Sequence, residues 1–346
     1  MVDEKATWFR GWLETSVGRV ARISTQMDFT DKLGGCRVRW GIGRMRYNVP
    51  AGLYALGQPT PESPVLVTAN YKLSFDLLRR ELTGKDLWLL VLETFGINVW
   101  CAAGKGTFGT AELVSRLQKV QLDKLVNHRT IILPQLGASG VAAHQVRKAT
   151  GFKVKYGPVR AHDLTSFLSN GLKANEENRR IKFTVRDRLV LTPVELVGAW
   201  KPSLIVLLLV FIMGGLSGQE FSLQGALSRS LSPALIYLGA LLMGSLVTPI
   251  LLPWIPGRAF SLKGAQIGLV WAFAVSLTFA STWSLASIIA LFLIVPAVAA
   301  YFVMNFTGCS TFTSLSGVQK EMRIAVPVII LCILSGGVAF VLGKYL

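Results

Sequence analysis

The sequence predicts an α/β domain with a parallel β-sheet, followed by an all-α transmembrane domain of five helices. The 346-residue chain is 51% hydrophobic and has a mean hydropathy of +0.48, which is high for a soluble protein. Residues 1–201 hold 30 of the 36 Lys and Arg residues, whereas residues 202–346 hold only eight charges of either sign. Within the first half, short apolar runs alternate with amphipathic stretches. A purely soluble enzyme is therefore excluded.

The first 50 residues form a basic, Trp-containing segment. Arg37, Arg39, Arg44 and Arg46 are interleaved with apolar and aromatic residues. Such a patch can bind nucleic acid, an anionic membrane surface or anionic substrates. We favour the membrane surface, because each Lys or Arg near an anionic leaflet contributes about 1 kcal/mol. We predict membrane lipid and no nucleic acid as its partner.

Four apolar strands and four helices are predicted between residues 51 and 175. The strands fall at residues 65–68, 87–92, 131–134 and 152–156, and the helices near residues 74–82, 111–120, 141–150 and 164–172. Apolar strands that alternate with amphipathic helices indicate a Rossmann-like parallel sheet. In such sheets the ligand binds beyond the carboxyl ends of the strands. Those ends are residues 69–71, 94–109, 135–140 and 157–163.

A connector at residues 176–201 leads to the predicted transmembrane domain at residues 202–346. Charged residues there bound uncharged stretches of 18, 28, 56 and 20 residues. A helix needs about 20 apolar residues to span a bilayer. The longest stretch therefore holds two helices, with a break at residues 281–284, and the others hold one each. The first span, near residues 202–219, is the shortest.

The loop charges predict the orientation. Arg258 with Lys263, and Lys320 with Arg323, fall in two loops on the same side as the basic first half. The positive-inside rule places that half in the cytoplasm and the C-terminus outside, in a multi-pass protein of the cytoplasmic (inner) membrane. The first residues have no apolar run typical of a signal peptide.

A glycine-rich stretch at residues 104–109 (GKGTFG) matches the dinucleotide pattern G-x-G-x-x-G only weakly. That pattern should follow the first strand directly and have an acidic residue about 20 positions later. Here about ten residues separate the stretch from the preceding strand. The segment also lacks the glycine spacing of a phosphate-binding P-loop.

The most informative segment is residues 98–105 (NVWCAAGK). Asn98 is a good N-cap, which puts Cys101 in the first turn of a helix, near its positive end. Lys105 lies four residues further on the same face. Both features favour the thiolate, which is the form that reacts and binds metals. The three residues after Cys101 add almost no bulk, so that a broad, flat ligand could approach the sulfur.

Two other interpretations of Cys101 stay open from composition and spacing alone. It can be a buried structural cysteine, or it can form a catalytic pair with His128, His144 or His162. None of these histidines has the spacing of a zinc site.

Residues 98–105 resemble, at all eight positions, the cap-helix signature of the HgcA family, the membrane-bound corrinoid proteins of mercury methylation. Residues 64–76 (PVLVTANYKLSFD), 133–141 (LPQLGASGV) and 157–163 (GPVRAHD) are similar to corrinoid-domain segments. The HgcA family shares these segments with the large subunit of the corrinoid iron–sulfur protein of acetyl-CoA synthesis. The first half has only Cys36 and Cys101, too few for a Cys-ligated cluster. We therefore expect no iron–sulfur cluster in this chain.

The resemblance implies a cobalamin-type corrinoid, with Cys101 as the lower axial ligand of its cobalt. The implied activity is transfer of a methyl group from cobalt to thiol-bound Hg(II), as a carbanion equivalent or a radical. The implied partners are a ferredoxin-like protein of the HgcB type with two 4Fe–4S clusters and a methyl-tetrahydrofolate-dependent methyl donor. A membrane-anchored corrinoid methyl carrier for another acceptor in one-carbon metabolism is the alternative. A transporter with a regulatory nucleotide-binding domain is disfavoured by the weak glycine pattern.

The resemblance and the strand-end rule together imply Cys101 as the catalytic and cobalt-binding residue within a larger cofactor site. The implied cofactor-binding residues are Thr68, Asn70, Asn98, Val99, Trp100, Cys101, Ala102, Ala103, Gly104, Lys105, Gly106, Thr107, Gln135, Gly137, Ala138, Val159 and Arg160.

Overall fold

Seven strands form one sheet in the first of the two units into which the chain divides, residues 1–182 and residues 183–346. The computed structural model describes residues 2–217, 220–279 and 281–345. The strands are β1 (Phe9–Thr15), β2 (Gly18–Ile23), β3 (Gly52–Leu56), β4 (Val65–Ala69), β5 (Leu87–Leu92), β6 (Thr130–Leu133) and β7 (Lys153–Tyr156). They lie in the order β1-β2-β3-β5-β4-β6-β7.

The four strands predicted from their apolar runs form a continuous parallel block of this sheet. β5, β4, β6 and β7 run parallel to one another, which confirms the α/β class. Every residue of β4 and β5 is buried, as expected for strands covered on both faces. The helices of this unit are α1 (Phe29–Arg39), α2 (Lys72–Glu81), α3 (Val99–Lys105), α4 (Thr110–Lys119), α5 (Leu122–Leu125), α6 (Ala143–Thr150), α7 (Leu164–Ser169) and α8 (Glu176–Arg179).

Three strands that the sequence did not indicate extend the sheet, two from the N-terminal segment and one, β3, directly after it. β1 and β2 form an antiparallel hairpin, β2 runs parallel to β3, and β3 pairs antiparallel with β5. The sheet is therefore mixed rather than purely parallel. Exposed charged residues along β1 and β2, such as Arg10 and Arg19, interrupt the apolar alternation on which a strand prediction depends.

Two hydrophobic cores cover the two faces of the sheet. On one face, Leu90 and Leu92 of β5 pack in the core that contains Phe108 and the apolar sides of α4 and α6. On the other face, Leu89 and the rest of the alternate set pack with α2 and α7. Because side chains of a strand alternate between faces, β5 contributes to both cores and forms the centre of a three-layer domain.

A buried cluster of four charges joins the N-terminal segment to the rest of this unit. The side chain of Arg79 is fully buried and contacts Asp31 at 2.6 Å and Asp76 at 2.9 Å. Lys72 contacts the same two carboxylates at 2.6 and 2.7 Å. Burial alone would raise the pKa of Asp31, but the hydrogen bonds and charges of Lys72 and Arg79 outweigh it and lower the pKa to about 2. Since Asp31 belongs to α1 and Arg79 to α2, the cluster fixes α1 on the sheet domain.

The second unit consists mainly of long apolar helices. They are α9 (Val185–Gly198), α10 (Trp200–Gly215), α11 (Leu223–Leu242), which continues through a π-helical turn into α12 (Thr248–Leu251), α13 (Phe260–Phe279), α14 (Leu285–Asn305) and α15 (Leu315–Tyr345). Two short strands that pair antiparallel, β8 (Leu216–Ser217) and β9 (Glu220–Phe221), follow α10.

Among the described residues, four helices are long and apolar enough to cross a membrane, and α9 with α10 makes a fifth if this bent pair is one span. The pair is bent by 52°. The two helices predicted within the 56-residue uncharged stretch correspond to α13 and α14, which are separated near the predicted break at residues 281–284. The predicted first span corresponds to α10, although position 219, at its predicted end, lies outside the described residues.

Candidate cofactor site at the carboxyl edge of the sheet

The chain order of the parallel strands creates a crevice at the carboxyl ends of β4 and β6. The chain passes from β4 to β5 on one side and then crosses to β6 on the other side. Ligands of open α/β sheets bind at such switch points. A cavity of about 500 Å³ lies there, lined by strand-end residues such as Thr68 and Leu133, by the start of α3, and by residues 158–162 after β7. The fold therefore presents a crevice where the strand-end rule predicts a ligand.

The cap helix, α3, begins at this edge with Cys101 in its first turn. The side chain of Asn98 accepts a hydrogen bond of 2.9 Å from the backbone N–H of Cys101, as the sequence predicted for an N-cap. The helix ends after seven residues at Gly106, whose φ of 81° is readily adopted only by glycine. Cys101 is half-buried and is a free thiol. It does not line the cavity itself, but its neighbour Trp100 does.

The exposed side of α3 is open. Gly104 lies one turn after Cys101 and Trp100, and a Cβ atom added to it would meet nothing within 4 Å. Trp100 is 37% exposed on the same short helix. The half-buried thiol thus lies beside a position without bulk, a surface that fits a broad, flat ligand.

The loop that leads into α3 is organised by Asn70 at the end of β4. Its Oδ1 atom accepts hydrogen bonds from the N–H and hydroxyl of Thr94 and from the N–H of Gly96, and its amide donates to Glu93 at 2.6 Å. Phe95, between these partners, has a φ of 56°, which is unfavourable for a bulky side chain. Its ring is nevertheless 66% exposed. Asn70 therefore positions the cap helix, and the strained loop presents Phe95 to the surface beside it.

A packed aromatic ring holds the other end of α3 against the loop after β6. Phe108 is fully buried, and its ring lies so close to Gly137 that an added Cβ would approach Cε1 to 2.5 Å. A Cβ on Gly140 would approach the carbonyl oxygen of Phe108 to 2.2 Å. A side chain at Gly137 would displace the buried Phe108 ring, and one at Gly140 would displace the backbone. The segment after the cap helix is thereby locked to the turn that carries Gln135.

Gln135, in the turn after β6, carries a buried acceptor that a donor group of a cofactor can satisfy. Its Oε1 atom is buried and has no hydrogen-bond partner among the described residues. An unpaired buried acceptor costs about 1–3 kcal/mol, and this one lies in the turn Gln135–Gly137, which contacts α3. A corrinoid carries amide side chains that can donate to such an acceptor. The residues present therefore fit the cofactor that the resemblance implies.

The predicted site residues fall into three groups. Thr68, Asn98, Val99, Trp100, Val159 and Arg160 line the cavity. Gly104, Lys105 and Gly106 are exposed on α3 and at its end, and Cys101 and Thr107 are half-buried there. Asn70, Ala102, Ala103 and Gly137 are buried, and Gln135 and Ala138 are half-buried in the turn after β6. All the predicted site residues thus lie at the carboxyl edge of the sheet. The buried residues of the third group pack against neighbouring side chains or fix the loops.

The three histidines considered as partners of Cys101 lie in different places. His162 lines the cavity and contacts Asp163 at 3.2 Å. His144 is exposed on α6. His128 contacts the carbonyl of Ser63 at 2.9 Å, and both residues precede strands, which places them at the opposite, amino edge of the sheet. Of the three, His162 is the one that lines the cavity.

The residues that sequence reasoning missed are those that shape the cap helix from a distance. Glu112 of α4 accepts from the backbone N–H of Glu93 at 2.9 Å and from Arg116 at 2.7 Å, and so fixes the start of the cap-helix loop. Phe95 and Phe108 belong to the same group. The one local signal among them was Gly96, three residues before the cap helix, since glycine punctuates local structure.

Comparison with known protein families places this edge in a corrinoid-protein context. Residues 43–168 match the family described as the CO dehydrogenase/acetyl-CoA synthase delta subunit. The matched region runs from before β3 into α7 and contains the cap helix, the cavity and Gln135.

Individual relatives agree with this match. The gamma subunit of the acetyl-CoA decarbonylase/synthase complex of Archaeoglobus fulgidus is 30% identical over 135 residues, which is 38% of this chain and 28% of that protein. The corresponding subunit of Methanopyrus kandleri is 33% identical over 132 residues, or 37% and 28% of the two chains. The corrinoid/iron–sulfur protein large subunit of Moorella thermoacetica is 31% identical over 122 residues, or 35% and 27%.

The family match lies within the first unit. The chain spans less than a third of the length of these relatives. For that domain, the predicted resemblance to corrinoid proteins is confirmed.

Proposed function

We propose that this chain is a corrinoid-dependent methyltransferase that transfers a methyl group to Hg(II). The observation that carries the proposal is the half-buried thiol of Cys101, held in the first turn of the cap helix at the switch point of a corrinoid-protein-like domain. When bound, the corrinoid would supply the methyl group on its cobalt, and transfer of that group to thiol-bound Hg(II) would form methylmercury.

Different residues of the chain would hold different parts of this cofactor. Cys101 would hold the cobalt of this cofactor through its thiolate, an electron-rich ligand of the kind that tunes other metal cofactors. Trp100 and Gly104 would form the surface on which the flat ring lies. Gln135 would accept a hydrogen bond from a cofactor amide. Asn70 would act as a positioning residue, because it fixes the loop that orients the cap helix.

The second unit supports a membrane location. Four to five helices of spanning length and composition are compatible with a multi-pass protein of the cytoplasmic membrane. We propose the orientation given by the loop charges, with the first unit in the cytoplasm and the C-terminus outside. The proposed partners are a ferredoxin-like HgcB-type protein that supplies electrons and a methyl-tetrahydrofolate-dependent methyl donor.

The names of the relatives favour a second candidate function, in which the methyl group goes to an acceptor other than Hg(II). The relatives of the first unit are named as subunits of an acetyl-CoA decarbonylase/synthase complex and as a corrinoid/iron–sulfur protein. A membrane-anchored methyl carrier that serves another acceptor in one-carbon metabolism would use the same cofactor site.

The two candidates are separated by an acceptor assay on full-length protein loaded with methylcorrinoid. We expect methylmercury to form from a thiol complex of Hg(II), and Cys101→Ala to abolish it. Cys36→Ala is the matched control, because Cys36 is an exposed thiol of α1 outside the site, and it should keep wild-type activity. Full activity of Cys101→Ala would contradict the role of the thiol, and a wild-type protein that methylates only other acceptors would support the second candidate.

A further inference from the structure

The second unit contains an amphipathic groove between α13, α14 and α15, which we call the α13–α15 groove. It encloses about 1150 Å³. One end is polar and is lined by Arg258, Lys320 and Glu321 with neighbouring Ser and Thr residues, whereas the rest is lined by apolar side chains. The groove thus has a charged mouth and an apolar body, which match the charged headgroup and the apolar chains of a lipid.

The charges that the mouth of the groove offers to a ligand are positive. Glu321 is engaged within the protein, because its carboxylate accepts a hydrogen bond of 2.6 Å from the backbone N–H of Ser261 at the start of α13. Arg258 and Lys320 are both exposed and have no ion pair with an acidic side chain in the described ranges 2–217, 220–279 and 281–345. Two cations are therefore available to an anion that enters the mouth.

The length of the groove matches one leaflet of a bilayer. Its lining on α15 runs from Lys320 through residues three and four apart to Cys332, so it forms one stripe of the helix. At 1.5 Å per residue this stripe is about 18 Å long. Half of a bilayer's hydrocarbon core is about 15 Å thick. Small residues on the facing helices, such as Ala297 and Ala300 of α14, leave the space open.

We propose that the α13–α15 groove binds an anionic phospholipid, with the headgroup phosphate between Arg258 and Lys320 and an acyl chain along α15. Basic pockets at the ends of transmembrane helices bind anionic headgroups in this way. The inference rests on the proposed membrane location of the second unit but is independent of the chemistry at Cys101. With the proposed orientation, the lipid belongs to the cytoplasmic leaflet.

The test is lipid retention by full-length protein, released from a neutral detergent and measured by native mass spectrometry. The probes are phosphatidylglycerol and phosphatidylcholine with identical acyl chains. Each cation near an anionic headgroup raises the binding constant by about a factor of five. Wild type should therefore retain one phosphatidylglycerol, with a preference over phosphatidylcholine of about tenfold or more. Arg258→Gln with Lys320→Gln should lose the preference. Arg323→Gln, an exposed cation of the same helix that does not line the groove, should keep it.

A second variant tests the apolar part. Val328 lines the groove and is 53% exposed, so Val328→Trp should fill the groove without disturbing the packed helices and should reduce binding of both lipids. Equal retention of the two lipids by wild type, or unchanged retention by Val328→Trp, would overturn the proposal. Displacement of the lipid by glycerol 3-phosphate would reduce the site to a phosphate site and would overturn it as well.

The membrane location is tested separately by washing membranes with carbonate. Release of the chain into the soluble fraction would contradict the membrane assignment and the lipid site together. Retention in the membrane with no preference for phosphatidylglycerol would contradict the lipid site alone.

Discussion

Replacing Gly104 by Leu is expected to stabilise the cap helix and to weaken cofactor binding. The open surface at Gly104 means that the new side chain meets no protein atom near its Cβ. Glycine disfavours a helix by about 1 kcal/mol relative to residues such as Ala or Leu, so Gly104→Leu should slow amide exchange in α3 about fivefold. The same side chain would occupy the surface beside Cys101 on which we place the corrinoid ring. Affinity for the corrinoid should therefore fall by about tenfold or more.

The assay uses full-length protein in neutral detergent, with equilibrium dialysis for corrinoid affinity and hydrogen exchange over residues 99–105 for the helix. Gly104→Ala is the matched control, since it gains a similar helix stabilisation and adds only one methyl group. It should lose much less affinity than Gly104→Leu. If Gly104→Leu slowed exchange and bound corrinoid as tightly as wild type, the cofactor would not lie on this face and the site assignment would be wrong.

Three further substitutions test the supports of the site. Asn70→Ala leaves two backbone N–H groups without their acceptor and should lower the free energy of unfolding by about 2–4 kcal/mol, seen as faster amide exchange over residues 93–98. The control Asn127→Ala removes one exposed hydrogen bond and should lower it by less than about 0.5 kcal/mol. Equal losses for the two variants would contradict the positioning role of Asn70. Phe108→Ala should cost about 3–5 kcal/mol in chemical denaturation and loosen corrinoid retention, and a cost below about 1 kcal/mol would show that the ring does not hold the cap helix. Because the folded pKa of Asp31 lies at about 2, below its ordinary 3.8, its stabilisation of about 2 kcal/mol is complete above about pH 4 and is lost as the pH falls toward 2. Asp31→Asn should lower stability at neutral pH by about 3 kcal/mol or more, because it leaves buried Arg79 partly unpaired, and should flatten this acid transition; an unchanged pH dependence would contradict the assignment.

The parts of the fold predicted from sequence are those whose signals are local. The apolar runs of β4 and β5 read as buried strands because both faces are covered. The cap by Asn98 was predictable because an N-cap and the N–H that it accepts lie three residues apart. The break between α13 and α14 was visible as polar residues within an uncharged stretch.

The parts that were not predicted depend on distant partners. β3 is a strand because it pairs with β5, more than 30 residues later, and β1 and β2 follow from that pairing. Asn70 lies at a strand end, so the strand-end rule assigned it to the cofactor, but its amide oxygen is used by the loop at residues 94–96. Phe108 fits against Gly137 only because the sheet brings the two loops together. Such contacts join residues that are far apart in the chain, so they produce no periodic pattern or fixed spacing in the sequence.

The central claim is that Cys101 ligates the cobalt of a bound corrinoid. The most direct test is an ultraviolet–visible spectrum, with cobalt analysis, of corrinoid-loaded wild type beside Cys101→Ala. We predict that both proteins contain cobalt and that the Co(III) bands shift when the thiol is removed, as loss of an axial ligand requires. Identical spectra from two cobalt-containing proteins would contradict ligation by Cys101, and absence of bound corrinoid from both would contradict the proposed cofactor.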